Sequence, residues 1–337
     1  MTQVVPYVHR VRDVLRDRYP ELSLLHEGRC GLVFLASRPG ASGAPVVVKV
    51  AYPLGAGEAD STLLARFRRE AEIGARLNHP HILRNARPEM IHDVAFYEMP
   101  QAGPIRLDHL ITAPNPPQFP RILTILQQLA DALDYAHAHG VVHGALRPSA
   151  VLLDMAGNVL LKGFCLHLSE ADALSPLTPA VVGDPAYMAP EQWHDPTVDR
   201  SLDVYALGVL AYELCTSSAR VGYDAQGVPE IRPIELAPNH ALRGDVPMHA
   251  TAAIRRALNK DPAMRFPTAG RFVRALTEPE EALGHSLPTV KTPVPTRRHS
   301  RWMLILLVLI VAVTLASAVP SPLRDWLVSL VRVTVRS

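Results

Sequence analysis

The residues that could do chemistry lie in one loop, residues 143–153, which reads His-Gly-Ala-Leu-Arg-Pro-Ser-Ala-Val-Leu-Leu. It follows a run of apolar residues at helical spacing and precedes a hairpin-like segment that turns at residues 156–158. A loop held between a helix and a hairpin can aim its side chains at a fixed point. Arg147 offers a planar guanidinium matched to a carboxylate, but the loop contains no Asp or Glu and therefore no carboxylate base.

The loop resembles the catalytic loop of Ser/Thr protein kinases, whose pattern is His-Arg-Asp-Leu-Lys-Pro-x-Asn followed by three apolar residues. His143 and the closing apolar residues are kept. The resemblance places Ala145 at the catalytic Asp and Ala150 at the metal-binding Asn. Farther along, Gly163 stands beside Lys162, where the family has the magnesium-binding Asp of Asp-Phe-Gly. The scaffold of the loop is present, while its catalytic and metal-binding groups are missing.

Three upstream segments resemble the nucleotide-binding elements of the same family. The turn formed by Gly28 and Gly31, followed by Val33, resembles the Gly-rich loop over the nucleotide phosphates, although a hairpin turn explains it equally well. A β-branched run ends at Lys49, which the resemblance places against the phosphates. Glu70, in a helix-like run, is its implied partner.

Residues 96–99, Phe-Tyr-Glu-Met, resemble the hinge between the two lobes, with Tyr97 as a bulky gatekeeper. Val47 replaces the usual Ala and would narrow the adenine pocket. Lys162 could meet phosphates directly, because the neighbouring acidic residue is lost. The nucleotide-binding residues implied by the resemblance are Gly28, Gly31, Val33, Lys49, Glu70, Glu98, Met99, Leu152 and Lys162.

Later motifs concern architecture. Residues 183–191 are close to the family's Gly-Thr-x-x-Tyr-Met-Ala-Pro-Glu, and residues 258–266 resemble a late motif of the C-lobe. The resemblance implies a buried ion pair between Glu191 and Arg265. Eight such motifs occur in the right order over residues 21–277, which predicts an α+β, two-lobed kinase-like fold with a small β-rich N-lobe and a helical C-lobe.

A second ion pair is predicted from substitutions that occur together. Where the family has its catalytic Asp, its catalytic-loop Lys and a Thr of the activation segment, this chain has Ala145, Arg147 and Asp184. Asp184 returns the negative charge that Ala145 removes, and Arg147 can bind a carboxylate with two hydrogen bonds. We therefore expect an Arg147–Asp184 pair that holds the activation segment against the catalytic loop.

A transmembrane helix is predicted over residues 302–319, 18 residues that carry no charge and are rich in Leu, Ile and Val. As a helix they would span roughly 27 Å, close to the ~30 Å hydrocarbon core of a bilayer. A buried core helix is the alternative. Arginines at 297, 298 and 301 precede the stretch, and the positive-inside rule then places the kinase-like domain in the cytoplasm.

The predicted organisation is a helical extension at 1–20, the kinase-like domain at 21–277, a Pro-rich linker at 278–301, the single transmembrane helix at 302–319 and a short tail at 320–337. The net charge of +2 gives no electrostatic argument for nucleic acid. Three distant cysteines, Cys30, Cys165 and Cys215, have no metal-ligand spacing and fit a reduced cytosolic domain.

Three functions stay open. The first is a membrane-tethered pseudokinase, a scaffold or allosteric partner of cytosolic signalling proteins or of another kinase, because the losses are confined to chemistry. The second is an active Ser/Thr kinase that transfers phosphate from ATP with relocated catalytic groups. The third is another enzyme on the same scaffold, such as a nucleotidyl transferase. ATP is the implied cofactor, weakly bound, and we expect no magnesium.

Overall fold

The computed structural model describes residues 4–28, 31–40, 45–52, 58–103, 105–164, 184–193, 199–216, 221–223, 229–231 and 242–278. All of them belong to one compact unit, residues 1–284. The predicted transmembrane helix and tail lie outside the described residues, as does the predicted linker beyond its first residue. Within the described part, no helix has both the length and the apolarity that crossing a bilayer requires.

The N-lobe is built on a five-stranded antiparallel sheet. Its strands are β1 (Glu21–Gly28), β2 (Gly31–Ser37), β3 (Val46–Val50), β4 (Glu89–Ile91) and β5 (Val94–Pro100). They lie in the order β1-β2-β3-β5-β4, and every neighbouring pair is antiparallel. β3 is almost entirely valine, and such β-branched residues fit a pleated surface.

Alternation along these strands separates the two faces of the sheet. Val48 and Val50 are buried on one face, where helix α1 (Val4–Leu15) covers them with Val11 and other apolar side chains. Lys49 lies between the two valines and points to the other face. That face packs on helix α2 (Glu58–Arg76), which contributes buried apolar side chains to a second cluster.

The C-lobe is helical and holds the largest apolar core. Its helices are α3 (Leu107–Ile111), α4 (Phe119–Ala138), α5 (Ser201–Thr216), α6 (Met248–Ala257) and α7 (Ala269–Thr277). α5 is apolar nearly all round, as expected of a helix at the centre of a domain, and 13 of its residues are buried. α4, α6 and α7 are amphipathic and pack around the same core with their apolar faces.

Two small sheets complete the described fold. β6 (Ile105–Arg106), β7 (Val151–Leu153) and β8 (Val159–Leu161) form a three-stranded sheet in that order, and β9 (Val221–Tyr223) pairs with β10 (Pro229–Ile231). The loop 143–150 connects the end of α4 to β7 and closes with a 3-10 turn, Pro148–Ala150. It is therefore held between a helix and a hairpin, as the sequence predicts.

Candidate functional site

The centre of the candidate site is an ion pair between the N-lobe sheet and α2. Lys49 Nζ donates hydrogen bonds to both carboxylate oxygens of Glu70, at 2.8 and 2.7 Å. Tyr97 lies directly opposite Lys49 on β5, so both side chains leave the sheet on the same face. Its hydroxyl donates to Glu70 Oε1 at 2.9 Å. The partnership of Lys49 and Glu70 implied by the resemblance is confirmed.

The electrostatics of this pair favour its charged form. Burial would raise the pKa of Glu70, but the charge and hydrogen bonds of Lys49, with the hydroxyl of Tyr97, hold that pKa below its ordinary value. The two charged side chains are 15% and 14% exposed, so water screens them little. Glu70 is therefore a carboxylate that fixes the position of Lys49.

Asp203, a fully buried residue of α5, anchors the loop 143–150. Its carboxylate accepts hydrogen bonds from the main-chain nitrogens of His143 and Gly144, at 2.8 and 2.7 Å, and lies 2.7 Å from Nε2 of His137. Burial would raise the pKa of Asp203, but the hydrogen bond and charge of His137 lower it. Asp203 thus holds the loop in place.

His143 is structural in this arrangement. Its Nε2 donates to the carbonyl of Lys162 at 3.1 Å, while its Nδ1 accepts from the main-chain nitrogen of Ala145 at 3.3 Å. Burial lowers the pKa of His143, although the nearby Asp203 opposes that shift. Its ring also packs edge-on against Phe164, with centroids 4.8 Å apart. A neutral histidine with both nitrogens engaged joins the loop to the strand end beyond β8.

Lys162 lies next to Ala150 and Gly163, the two positions where the family has metal ligands. Its main-chain nitrogen donates to the carbonyl of Ala150 at 2.9 Å, and Gly163 follows it directly. Burial lowers the pKa of Lys162, and the charge of Lys49 lowers it further. The ammonium groups of Lys49 and Lys162 are therefore close enough to repel each other, and the carboxylate of Glu70 partly offsets this effect by raising the pKa of Lys162.

The residues present do not fit magnesium. Hard divalent cations take carboxylate and carbonyl oxygens as ligands. Ala145, Ala150 and Gly163 offer no side-chain oxygen, and the described residues contain no group of three His, Cys, Asp or Glu side chains that could hold a metal. The residues present suit the phosphates of ATP better than they suit magnesium, because Glu70 holds Lys49 in position.

The glycines and apolar residues implied for nucleotide binding lie along strands β1, β2 and β7. Gly28 pairs with Gly31 at the end of the β1–β2 hairpin, and Val33 pairs with Lys49. Gly31 has φ +146°, and a Cβ built on it would lie 2.1 Å from a main-chain oxygen of β3, so only glycine fits there. Leu152 lies half-buried in β7 between two buried neighbours.

The side chain of Glu98 points away from the face that carries Lys49. Adjacent residues of a strand point to opposite faces, so Met99 lies on the face of Lys49 and Tyr97, whereas the Glu98 side chain points to the α1 side. There its carboxylate, 7% exposed, accepts hydrogen bonds from Tyr19, Arg18 and Arg38. A ligand in the site could meet only the main chain of Glu98.

Sequence reasoning missed these partners of Glu98. Burial would raise its pKa, but the hydrogen bonds from Tyr19, Arg38 and Arg18 hold that pKa below its ordinary value. Arg18 also binds Glu89 of β4 with two hydrogen bonds, at 2.6 and 2.8 Å. No motif marks this cluster, since its members come from four separate segments. The sequence signal for the cluster is an Arg-Tyr pair, residues 18 and 19, just before the first strand.

Of the two ion pairs predicted for the C-lobe, Glu191–Arg265 and Arg147–Asp184, only the first forms. Arg265, whose side chain is fully buried, donates to both oxygens of Glu191 at 2.5 and 2.7 Å, which confirms that prediction. Among the ion pairs of the described residues, none joins Arg147 to Asp184. Asp184 instead accepts a hydrogen bond from the main-chain nitrogen of Ala186 at 3.1 Å, which turns its carboxylate towards its own segment.

The fold and the assembled Lys49–Glu70 pair define a protein kinase domain. The family model described as "Protein kinase domain" matches residues 19–275, and the chain therefore belongs to the protein kinase family. Its relatives are bacterial-type Ser/Thr protein kinases.

Three comparisons give the degree of similarity. The chain is 31% identical over 254 residues to the serine/threonine-protein kinase PknB of Mycolicibacterium smegmatis, covering 69% of this chain and 39% of that one. It is 29% identical over 214 residues to PrkC of Bacillus subtilis, covering 62% and 33%. The PknI kinase domain of Mycobacterium tuberculosis superposes with a TM-score of 0.58 at 28% identity, covering 78% and 94%. The chain thus spans a third to two fifths of the length of these two curated relatives.

Proposed function

We propose that this chain is a membrane-tethered pseudokinase that acts as a scaffold or allosteric partner. The observation that carries the proposal is the contrast within one site. The Lys49–Glu70 pair and the Asp203 anchor of the loop are assembled, whereas Ala145, Ala150 and Gly163 supply no base and no metal ligand.

Enzymes lower the barrier to phosphoryl transfer by positioning the reactants and neutralising charge. A general base typically contributes 10²–10⁴-fold, or about 3–5 kcal/mol of barrier. Metal ions lower the barrier by several kcal/mol more, because they stabilise the charge on the phosphoryl group that is transferred. His143 does not replace the base, because both its ring nitrogens are engaged within the loop. A chain without these groups is suited to binding rather than transfer.

The test is transfer of label from γ-labelled ATP to a generic Ser/Thr protein substrate. The parent protein should transfer no more label than its Lys49→Met variant, which controls for contaminating kinases. Transfer that disappears in Lys49→Met would instead establish the alternative function, an active Ser/Thr kinase. The assembled Lys49–Glu70 pair is the observation that favours that alternative.

Tethering is proposed through residues 302–319, with the kinase-like domain on the cytoplasmic side and signalling proteins or a second kinase as partners. Removing residues 302–337 should move the protein from the membrane fraction to the soluble fraction with unchanged thermal stability. A truncated protein that still sediments with membranes would contradict the tether. Within this proposal, ATP binds weakly and needs no magnesium.

A further inference from the structure

We propose that Lys49, Lys162 and Arg147 form a metal-independent site for a polyphosphate chain, in which the ammonium group of Lys162 takes the place of the metal ion. The inference rests on the proposed loss of metal-dependent transfer and identifies the ligand chemistry of the same site. Its ligand is a di- or triphosphate free of magnesium, carried by a nucleotide or present as an inorganic ion.

The main chain of Lys162 is held between the two positions where the family has its metal ligands. The hydrogen bond from the nitrogen of Lys162 to the carbonyl of Ala150, 2.9 Å, brings the two former metal-ligand positions, 150 and 163, side by side with Lys162 between them. The carbonyl of Lys162 is held by His143 at 3.1 Å. This segment is thus fixed at both of its main-chain polar groups, and the lysine is not on a free loop.

Several positive charges surround Lys162. Lys49 is paired with Glu70, and Arg106, the other cation near this site, is paired with Asp108. Lys162 and Arg147 are half-buried, and neither side chain makes a hydrogen bond or ion pair with another described residue. Burial and the cations Lys49 and Arg147 all lower the pKa of Lys162. An anion placed among these groups relieves their repulsion.

Lys162 and Gly163 stand where the family has a carboxylate that binds a metal ion. A carboxylate with one divalent cation carries a net charge of +1, and the same charge is carried by Gly163 with the ammonium of Lys162. Replacing the carboxylate and its metal ion by Gly163 and Lys162 therefore keeps the local charge without a metal ion. Gly163 has φ +90°, and a Cβ built on it would meet no described residue within 4 Å.

These features select a polyphosphate. Lysine is a point-charge ligand for phosphate, and the guanidinium of Arg147 binds two phosphate oxygens in parallel. A bound magnesium ion would cancel part of the charge that these cations recognise. The site therefore prefers the metal-free polyphosphate to its magnesium complex, the reverse of a metal-dependent site.

The experiment measures affinity and thermal shift on the purified full chain in detergent. The probes are ATP in EDTA, ATP with excess magnesium, tripolyphosphate in EDTA, and adenosine. ATP in EDTA should bind more tightly than ATP with magnesium, and adenosine should not stabilise the protein. Equal stabilisation by tripolyphosphate identifies an inorganic ion as sufficient, while stabilisation by ATP alone identifies a nucleotide. Binding that strictly requires magnesium, or stabilisation by adenosine alone, would overturn the proposal.

Variants separate this site from general electrostatics. Lys162→Met should weaken the affinity for metal-free ATP about tenfold or more, since one charge-assisted hydrogen bond is lost. Lys260→Met, which removes an exposed lysine elsewhere, is the matched control and should bind as the parent does. If Lys162→Met fails to fold, Gly163→Asp is the second variant, because Asp tolerates positive φ comparatively well. Its carboxylate should weaken binding in EDTA to a similar degree.

The outcomes distinguish the inference from the proposed function. A parent protein that neither transfers phosphate nor binds polyphosphate overturns the site and leaves the scaffold proposal standing. Magnesium-dependent transfer, together with tighter binding of metal-free ATP than of magnesium-bound ATP, overturns the scaffold proposal and leaves the site standing. Unaltered binding by both Lys162→Met and Gly163→Asp would refute the assigned role of Lys162.

Discussion

Replacing Glu191 by alanine should destabilise the C-lobe strongly, because it leaves a buried guanidinium without its carboxylate. The side chain of Arg265 is fully buried and donates two hydrogen bonds to Glu191, at 2.5 and 2.7 Å. Its remaining donors reach main-chain carbonyls of Asn259, Ser201 and Lys260, at 2.8, 3.2 and 3.4 Å. These carbonyls satisfy hydrogen bonds but do not neutralise the charge.

The magnitude follows from that burial. Removing one partner of a buried ion pair typically costs about 3–5 kcal/mol, and Glu191, 18% exposed, belongs near the lower end. For a domain of this size, 1 kcal/mol shifts the melting temperature by roughly 2–4 °C. Glu191→Ala should therefore lower the melting temperature by roughly 6–12 °C, measured by thermal unfolding of the purified protein.

The matched control is Asp93→Ala. Asp93 is also bound by an arginine through two hydrogen bonds, at 3.0 and 2.8 Å, but both side chains are more than half exposed. Solvent-exposed pairs contribute little, so this variant should melt close to the parent. Equal shifts in the two variants would refute the reasoning that burial sets the cost. A double variant, Glu191→Ala with Arg265→Ala, should recover part of the loss, because no buried charge is then stranded.

Three further predictions concern the N-lobe. Tyr97→Phe removes a buried hydrogen bond to the charged Glu70 and should cost about 1.5–3 kcal/mol in chemical denaturation; an unchanged midpoint would contradict that bond. Glu98 has a lowered pKa, so its stabilisation is present above the ordinary value of about 4.3 and is lost as the pH falls through the lowered value. Tyr19→Phe removes one cause of that lowering, and acid unfolding should begin at a higher pH than in the parent. Gly31→Ala should cost more than about 2 kcal/mol, because its Cβ would meet the main chain of β3; stability equal to the parent would show that the hairpin relaxes freely.

Much of the fold could be predicted because its motifs are local in sequence and carry a fixed role in the architecture. The two-lobed fold, the Lys49–Glu70 pair and the Glu191–Arg265 pair all follow from residues recognised within short segments. Each pair joins distant segments, yet the partners are identifiable because each segment has a characteristic pattern. The missing groups at positions 145, 150 and 163 are equally readable from the sequence.

What could not be predicted depends on which way a side chain faces. Glu98 and Met99 are adjacent in the hinge motif, but the alternation of β5 sends them to opposite faces, and only the strand register settles which is which. The Arg147–Asp184 proposal failed for a similar reason. Charge compensation between positions does not fix the main-chain path, and Asp184 finds a nearer donor in Ala186. Short-range hydrogen bonds of Asp compete effectively with distant ion pairs.

Helix α1 has a consequence for where this protein can be cut. The family match begins at residue 19, yet the folded N-lobe begins with α1, whose side chains Val11 and Leu15 are fully buried against the sheet. A fragment started at the family boundary would leave Val48, Val50 and their neighbours facing water. Such a contiguous apolar face favours self-association. Any fragment intended to stay monomeric must therefore retain the chain from residue 4 onwards.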